Sequence, residues 1–353
     1  MKWLHLRCHS LAWGQGRRHA GDFPFFSRYI WRRRIHKIIL KQGFTPMNCL
    51  VTGAAGQVGQ QLVRLLAQQG HAVTAFDRSP ASHGEHVTPV TGDICDIATL
   101  ANLLMDRFEV IFHLAGLNAL QPADAIRRVN VEGTEALLSA VAHAGHAGPV
   151  ILMSSSAVYG PSPDNPILES SARNPQTAYA ESKAAAEDAA QRHRAVAGSD
   201  IRIARPFNII GPGQHAPLLY NKVAFQLTEI AGGTRPASLD LGNLESFRDL
   251  IDVRDVCSGL IAIARLGNPG ETYNLASGNA TRMADIVDRL IAYSGIEVTI
   301  HTAPRTGTDV SYQRGSFAKI HAASGWKPEV SLSTSLRDTL DWWHHLAPQE
   351  NTA

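Results

Sequence analysis

From residue 47 onward, short unbroken apolar runs alternate with longer segments of helical period. That alternation predicts repeated strand, helix, strand units and a parallel sheet, and strands with no polar residue at alternate positions predict a sheet covered on both faces. Strands are expected at 49–52, 72–76, 110–114, 150–154 and 201–204, and helices at 58–69, 97–107, 123–144 and 179–194. Past Arg205, Pro206, Gly211, Pro212, Gly213, Pro217, Gly232, Gly233 and Pro236 punctuate the chain and the periodic segments shorten. The expected organisation is a doubly wound α/β domain over 47–207 and a smaller α/β lobe over 208–346, with 251–276 interleaved back to the main sheet through a strand at 273–276. Residues 1–46 and 347–353 are expected to stand outside this fold.

Composition changes the picture only at the N-terminus. The 353 residues, 44% hydrophobic and 18% charged, suffice for one large core or two smaller ones. The net charge of +2 is uneven, because residues 1–46 hold ten Lys/Arg against the single acid Asp22, leaving the remainder at −7. A mildly acidic body excludes a nucleic-acid groove in the main domain. The basic segment reads either as an extra stretch upstream of a functional start at Met47 or as a presequence or arm for a membrane or nucleic acid. Cys8, Cys49, Cys95 and Cys257 show no CxxC spacing, so neither a zinc site nor a disulfide framework is expected. No run reaches the length of a membrane span or forms a secretory h-region. A soluble, cytoplasmic protein with no metal is expected. His143 and His146 lack a carboxylate partner and read as a solvated face. Trp342 and Trp343 read as packing for the last helix, and Glu181 and Glu187 as solvent-facing helix charges.

Chemistry enters with Leu50-Val51-Thr52-Gly53-Ala54-Ala55-Gly56-Gln57-Val58-Gly59, between the first strand and the first helix. Gly53 permits a tight turn, Gly56 lets the backbone approach a pyrophosphate, and Gly59 allows close packing of helix on strand, which together define a dinucleotide site on a Rossmann sheet. Asp77, at the end of the second strand, stands where an acid takes the adenosine ribose hydroxyls and favours NAD; Arg78 beside it could neutralise a 2′-phosphate and keeps NADP open. Asp93 ends a further strand and could face the adenine. Tyr179 and Lys183, four apart on a helix, share one face, and an ammonium there is expected to lower the phenol's pKa into a useful range for proton transfer. They follow Ser154-Ser155-Ser156 at another strand end, where ligands of such sheets meet their catalytic groups.

These motifs in this order, TGAAGQVG, HLAG at 113–116, SSSAVYG at 154–160, YAESK and RPFN at 205–208, resemble the extended short-chain dehydrogenase/reductase family of sugar-nucleotide enzymes over essentially all of 47–346. The resemblance implies that Ser155 hydrogen-bonds the substrate oxygen at the reacting carbon, that Tyr179 moves the proton, that Lys183 holds the nicotinamide ribose, and that Asn130 supports the site from a neighbouring helix. It implies dinucleotide contacts at Gly53, Gly56, Gln57, Val58, Gly59, Asp77, Arg78, Asp93, Ile94, Ala115 and Gly116 besides Tyr179 and Lys183. Substrate contacts are implied at Ser155, Ser156, Asn208, Arg248 and Arg305, the arginines suiting a nucleotide-sugar diphosphate.

Dehydratases of this family carry an acid pair where this chain has Ser156 and Ala157, so carbonyl reduction or epimerisation is expected instead. GPGQ at 211–214, GNLESFRDLIDVRDV at 242–256, YNLASG at 273–278 and RGSFAKIHAASGWKP at 314–328 most resemble reductases of GDP-4-keto-6-deoxy-mannose within the family, with the departure that Ile209 replaces the histidine common after PFN. The alternative is a UDP-hexose 4-epimerase with bound NAD. A dinucleotide-sensing protein without turnover is a third reading, opposed by the intact Tyr179 and Lys183. The cofactor is expected to be NAD or NADP, the partner a nucleotide sugar, and the assembly a homodimer packed through helices.

Overall fold

The computed structural model describes residues 46–79, 84–214, 218–302 and 311–350 (347–350 by backbone only), all within the compact unit Pro46–Ala353. The expectations for the N-terminal segment, for Arg305 and for the end of the tail lie outside the described residues. The chain runs β1 (Asn48–Thr52), α1 (Gln57–Gln68), β2 (Ala72–Asp77), β3 (Val87–Thr91), α2 (Ile97–Leu103), β4 (Val110–His113) and α3 (Ala123–Arg127). A π-helical turn (Arg128–Glu132) leads into α4 (Gly133–His143), followed by β5 (Val150–Met153), a 3₁₀ turn (Ser156–Tyr159), α5 (Ala178–Ala197) and β6 (Ile201–Pro206). Next come β7 (Asn208–Ile210), α6 (Leu219–Ala231), β8 (Ser238–Leu241), β9 (Phe247–Asp252), α7 (Val253–Leu266) and β10 (Thr272–Leu275). The last elements are β11 (Ala280–Arg282), α8 (Met283–Ser294), β12 (Thr299–Thr302), α9 (Ala318–Ser324) and α10 (Leu332–Glu350).

Seven strands form one parallel sheet in the order β10-β6-β5-β4-β1-β2-β3, the doubly wound Rossmann arrangement expected from the alternation. β4 and β6 are buried along their whole length, and the two arginines that β6 buries, Arg202 and Arg205, are each paired, with Asp200 and Glu187. α1 and α7 pack on one face, and α2, α4 and α5 on the other. Leu62, Val63, Leu65 and Leu66 turn one stripe of α1 into that core. β3 is the sheet's edge and mostly exposed, a position that tolerates the missing amide of Pro89. The strand expected at 273–276 does return to the main sheet: β10 pairs in parallel with β6.

The lobe contains a mixed sheet, β11-β9-β7, and a parallel pair, β12-β8. Its own core joins Val223 and Leu227 of α6 to Leu250, Ile286, Leu290 and Leu336. Trp343 packs against that core and stacks obliquely on Phe225 at 4.8 Å. Two expectations are corrected. The helix expected over 123–144 is broken by the π turn, and Glu187 does not face solvent: it is 2% exposed and binds the Arg205 guanidinium through both oxygens at 2.8 and 2.6 Å, with Arg173 at 3.2 Å. Ala-rich α5 lets β6 and its arginine approach closely enough to bury that carboxylate. Glu181 is exposed, as expected.

Candidate functional site

The glycine turn is shaped by contacts that no side chain survives. Gly53 has φ of +72°, and a Cβ there would lie 2.6 Å from the Ala115 nitrogen; at Gly59 it would lie 2.1 Å from the Gly53 oxygen. At Gly56 only the Gly53 oxygen, at 3.3 Å, comes within 4 Å, so the outer side of the turn is open to a ligand. α1 begins there with no side-chain cap and no acid in its first turn, leaving its amides and the positive end of its dipole for an anion. These features fit a dinucleotide pyrophosphate. Asp77 stands beside the turn, accepting the Ala55 amide at 3.0 Å on one oxygen and the Ser79 amide at 3.0 Å on the other, while Arg78 is exposed.

The other expected dinucleotide residues divide by what they expose. Val58 and Ile94 bury their side chains in the core, leaving main-chain atoms to meet a ligand. Asp93 accepts the Cys95 amide at 3.0 Å and faces Arg128 at 3.3 Å. Gln57 reaches away from the turn, donating its amide to the carbonyls of Gly211 at 3.0 Å and Pro212 at 3.3 Å. It thereby ties the glycine turn to the start of the lobe.

At the carboxyl ends of β4 and β5 the structure brings Asn130, Ser155, Tyr179 and Lys183 together with Gly116. Thr177 caps α5 by accepting the Ala180 amide, which starts the helix so that Tyr179 and Lys183 fall one turn apart on its inner side. Lys183 donates from Nζ to the Met153 carbonyl at 2.9 Å. A Cβ at Gly116 would sit 3.2 Å from that Nζ, so the glycine lets the main chain lie close beside the ammonium. Burial brings the Lys183 ammonium down to about 8 against the opposing pull of Glu187. Burial likewise pushes the Tyr179 phenol above its ordinary value, with the hydrogen bond to the Ser155 hydroxyl opposing. The expected depression of the phenol by Lys183 is thus corrected: the ammonium turns to the Met153 carbonyl, and desolvation dominates at the tyrosine. Ser155 also caps the 3₁₀ turn, accepting the Ala157 amide at 3.1 Å.

Asn130 is 1% exposed and uses its whole amide. Its oxygen accepts the Leu117 amide at 2.7 Å, and its nitrogen donates to the Leu117 carbonyl at 3.0 Å and to Ser182 Oγ at 2.9 Å. The extra residue of the π turn aims this side chain inward.

On the lobe side, Asn208 donates to the Asp249 carbonyl at 3.1 Å and to Gln313 Oε1 at 3.2 Å, and Gln313 donates to the Ser156 carbonyl at 3.4 Å. Gln313 therefore joins two of the expected substrate residues, and no motif announced it. Arg248 lies on β9, half-buried, with Nη1 on the Phe247 carbonyl at 3.0 Å. Its neighbour Asp249, fully buried, accepts from the Ser277 amide and hydroxyl, the Gly278 amide and the Gly315 amide at 2.7–3.1 Å; burial raises its pKa against those bonds. The FRD sequence at 247–249 marked Arg248 but not the carboxylate that locks its surroundings. Among the described residues no cluster of three or more His, Cys, Asp or Glu could hold a metal ion, and no helix is long and apolar enough to cross a membrane.

A parallel sheet with a glycine turn at its centre, and a Ser, Tyr and Lys gathered at its strand ends, defines a dinucleotide-dependent enzyme. Residues 49–276 match the NAD dependent epimerase/dehydratase family. The chain is 32% identical over 308 residues to GDP-6-deoxy-D-mannose reductase of Pseudomonas aeruginosa, covering 85% of this chain and 98% of that protein. It is 30% identical over 318 residues to UDP-glucose 4-epimerase of Mycolicibacterium smegmatis, covering 85% and 99%. The solved structure of RMD from Pseudomonas aeruginosa complexed with NADPH superposes with a TM-score of 0.74 at 30% identity, over 85% of this chain and 99% of that one. The chain belongs to the NAD dependent epimerase/dehydratase family and is an NAD(P)-dependent enzyme.

Proposed function

We propose that the protein reduces the 4-keto group of a GDP-linked 4-keto-6-deoxy-mannose. The observation that carries this reading is the meeting of the Ser155 hydroxyl with the Tyr179 phenol, one helical turn from Lys183. A hydroxyl and a phenol gathered beside an ammonium can polarise a ketone oxygen and give it a proton. When bound, the dinucleotide supplies the hydride. Ser155 donates a hydrogen bond to the carbonyl oxygen, Tyr179 delivers the proton to that oxygen as charge develops, and Lys183 holds the ribose. Ser156 and Ala157 offer no carboxylic acid to expel water. Asn208, Arg248 and Arg305 take the nucleotide diphosphate. The similarity to GDP-6-deoxy-D-mannose reductase supports the substrate; the similarity to UDP-glucose 4-epimerase makes a UDP-hexose the second reading. A cytoplasmic homodimer packed through helices completes the reading.

The test is to incubate the protein with NADH or NADPH and GDP-4-keto-6-deoxy-mannose, following absorbance and product. Stoichiometric cofactor oxidation is expected. Interconversion of UDP-glucose with no net cofactor change would overturn the reductase in favour of the epimerase.

A further inference from the structure

The hydrogen bonds around His113 admit one assignment of protons. Thr134 has a single hydroxyl proton, and at 2.7 Å it goes to the Asn130 carbonyl, which can only accept. The Thr134 oxygen, 3.0 Å from His113 Nε2, must then accept, so Nε2 carries the ring proton. The imidazole is 1% exposed, and burial, reinforced by the Lys183 ammonium, pushes its pKa down to about 3. The ring is therefore neutral and Nδ1 is bare. Thr52 donates its hydroxyl to Nδ1 at 2.8 Å and receives the Ala115 amide on its oxygen at 3.3 Å. A chain of neutral groups thus runs one way, from the main chain of Ala115 beside the glycine turn to the main chain of Asn130 in the π turn.

Strand pairing does not require this chain. Thr52 and His113 are already partners in the β1–β4 ladder, and an apolar ring at 113 would fill the same space without burying two polar nitrogens. What the imidazole adds is the link across to Thr134. Beyond that link Asn130 grips Leu117 and Ser182, and the Ser182 hydroxyl donates to the Tyr179 carbonyl at 2.7 Å. A fully satisfied buried network of this kind selects one arrangement of its parts.

We propose that His113 is a positioning residue: as its Nε2–H tautomer it sets the spacing between the glycine turn and the π turn, and through Asn130 and Ser182 it fixes where Tyr179 and Lys183 stand relative to the dinucleotide. The kinetic part rests on the reading that Tyr179 and Lys183 carry the hydride reaction. The tautomer does not.

The first arm of the test is ¹⁵N NMR of histidine-labelled protein, with His113→Gln identifying the signal. An Nε2–H ring that does not titrate between about pH 5 and 8 is expected; an Nδ1–H or titrating ring overturns the proposal. The second arm removes the accepting oxygen at similar shape. Thr134→Val is expected to lower kcat about tenfold or more, with the dinucleotide KM held within about twofold, and Thr134→Ser to recover kcat to within about threefold. Unchanged kcat in the valine variant, a change confined to KM, or no recovery with serine overturns it. Should the valine variant fail to fold, His113→Gln, which keeps a donor near the Nε2 position, is expected to retain more kcat than His113→Asn, which does not; the reverse order overturns it. The predicted tautomer in a protein that turns over no keto sugar would fault the substrate reading and leave the tautomer assignment standing.

Discussion

At the residue scale the pH behaviour of the site follows from Lys183. Its ammonium titrates at about 8, below an ordinary lysine, because burial disfavours the charge. Below pH 8 the ammonium is present to hold the ribose. Keto-sugar reduction at saturation is therefore expected to be level from about pH 6 to 8 and to fall up to about tenfold per unit above it; kcat rising through pH 8 would contradict the assignment. Stability moves the other way. Between about 8 and the ordinary lysine range the folded protein has lost a proton that the unfolded chain keeps, so this group adds stability as pH rises through that window. Lys183→Met is expected to remove that slope in urea unfolding free energies. Asp77 makes a second prediction at this scale. Its carboxylate, pinned by the Ala55 and Ser79 amides, would meet a 2′-phosphate as a like charge. NADH is expected over NADPH in kcat/KM, and Asp77→Ser is expected to shift that ratio toward NADPH about tenfold, roughly 1.4 kcal/mol, within the range for two charges near the surface; an unmoved ratio would place the adenosine ribose elsewhere.

At the scale of elements, α5 and β6 are joined by one buried charge cluster. Glu187 holds Arg205 by two bonds, and Arg205 passes on to the Tyr159 hydroxyl at 2.9 Å, which donates to Asn274 of β10 at 2.7 Å. Glu187→Gln leaves a buried guanidinium without its counter-charge, so a loss of about 3–5 kcal/mol is expected by urea unfolding. Glu181→Gln, on the exposed side of the same helix, is expected to stay within about 0.5 kcal/mol. Equal effects would mean that the cluster is solvated. The helix itself was legible from its period, but the fate of Glu187 was not, since its partners lie outside the helix and no periodicity reports them. The π turn was hidden for a similar reason. The apolar period over 123–144 reads as continuous, and only the pull of Leu117 and Ser182 on Asn130 shows why the helix gives up a regular turn there.

For the whole molecule, legibility tracks how local the determinant is. The glycine turn, the strand ends and the Tyr179–Lys183 pair are each written in a few adjacent residues, so the sheet and the grouping at the centre of the candidate site were legible in the sequence. Gln313 could not, because its value lies in touching Asn208 and Ser156, each more than a hundred residues away; nor could Asp249, which gathers three distant segments of the lobe. The same distinction separates binding from chemistry in one experiment. Dinucleotide at a hundred times its Kd should stabilise the folded state by about 2.7 kcal/mol, a rise in Tm of about 4 °C for a chain of this size. Tyr179→Phe removes the proton donor and leaves the glycine turn untouched, so its Tm shift is expected to equal the wild type's while turnover falls by about 10²–10⁴. Gly59→Ala places a methyl 2.1 Å from the Gly53 oxygen and must deform the cradle, so it is expected to lose the shift and to unfold earlier without ligand. If instead Tyr179→Phe loses the shift and Gly59→Ala keeps it, the dinucleotide does not lie across this turn, and the assignment of the site fails with it.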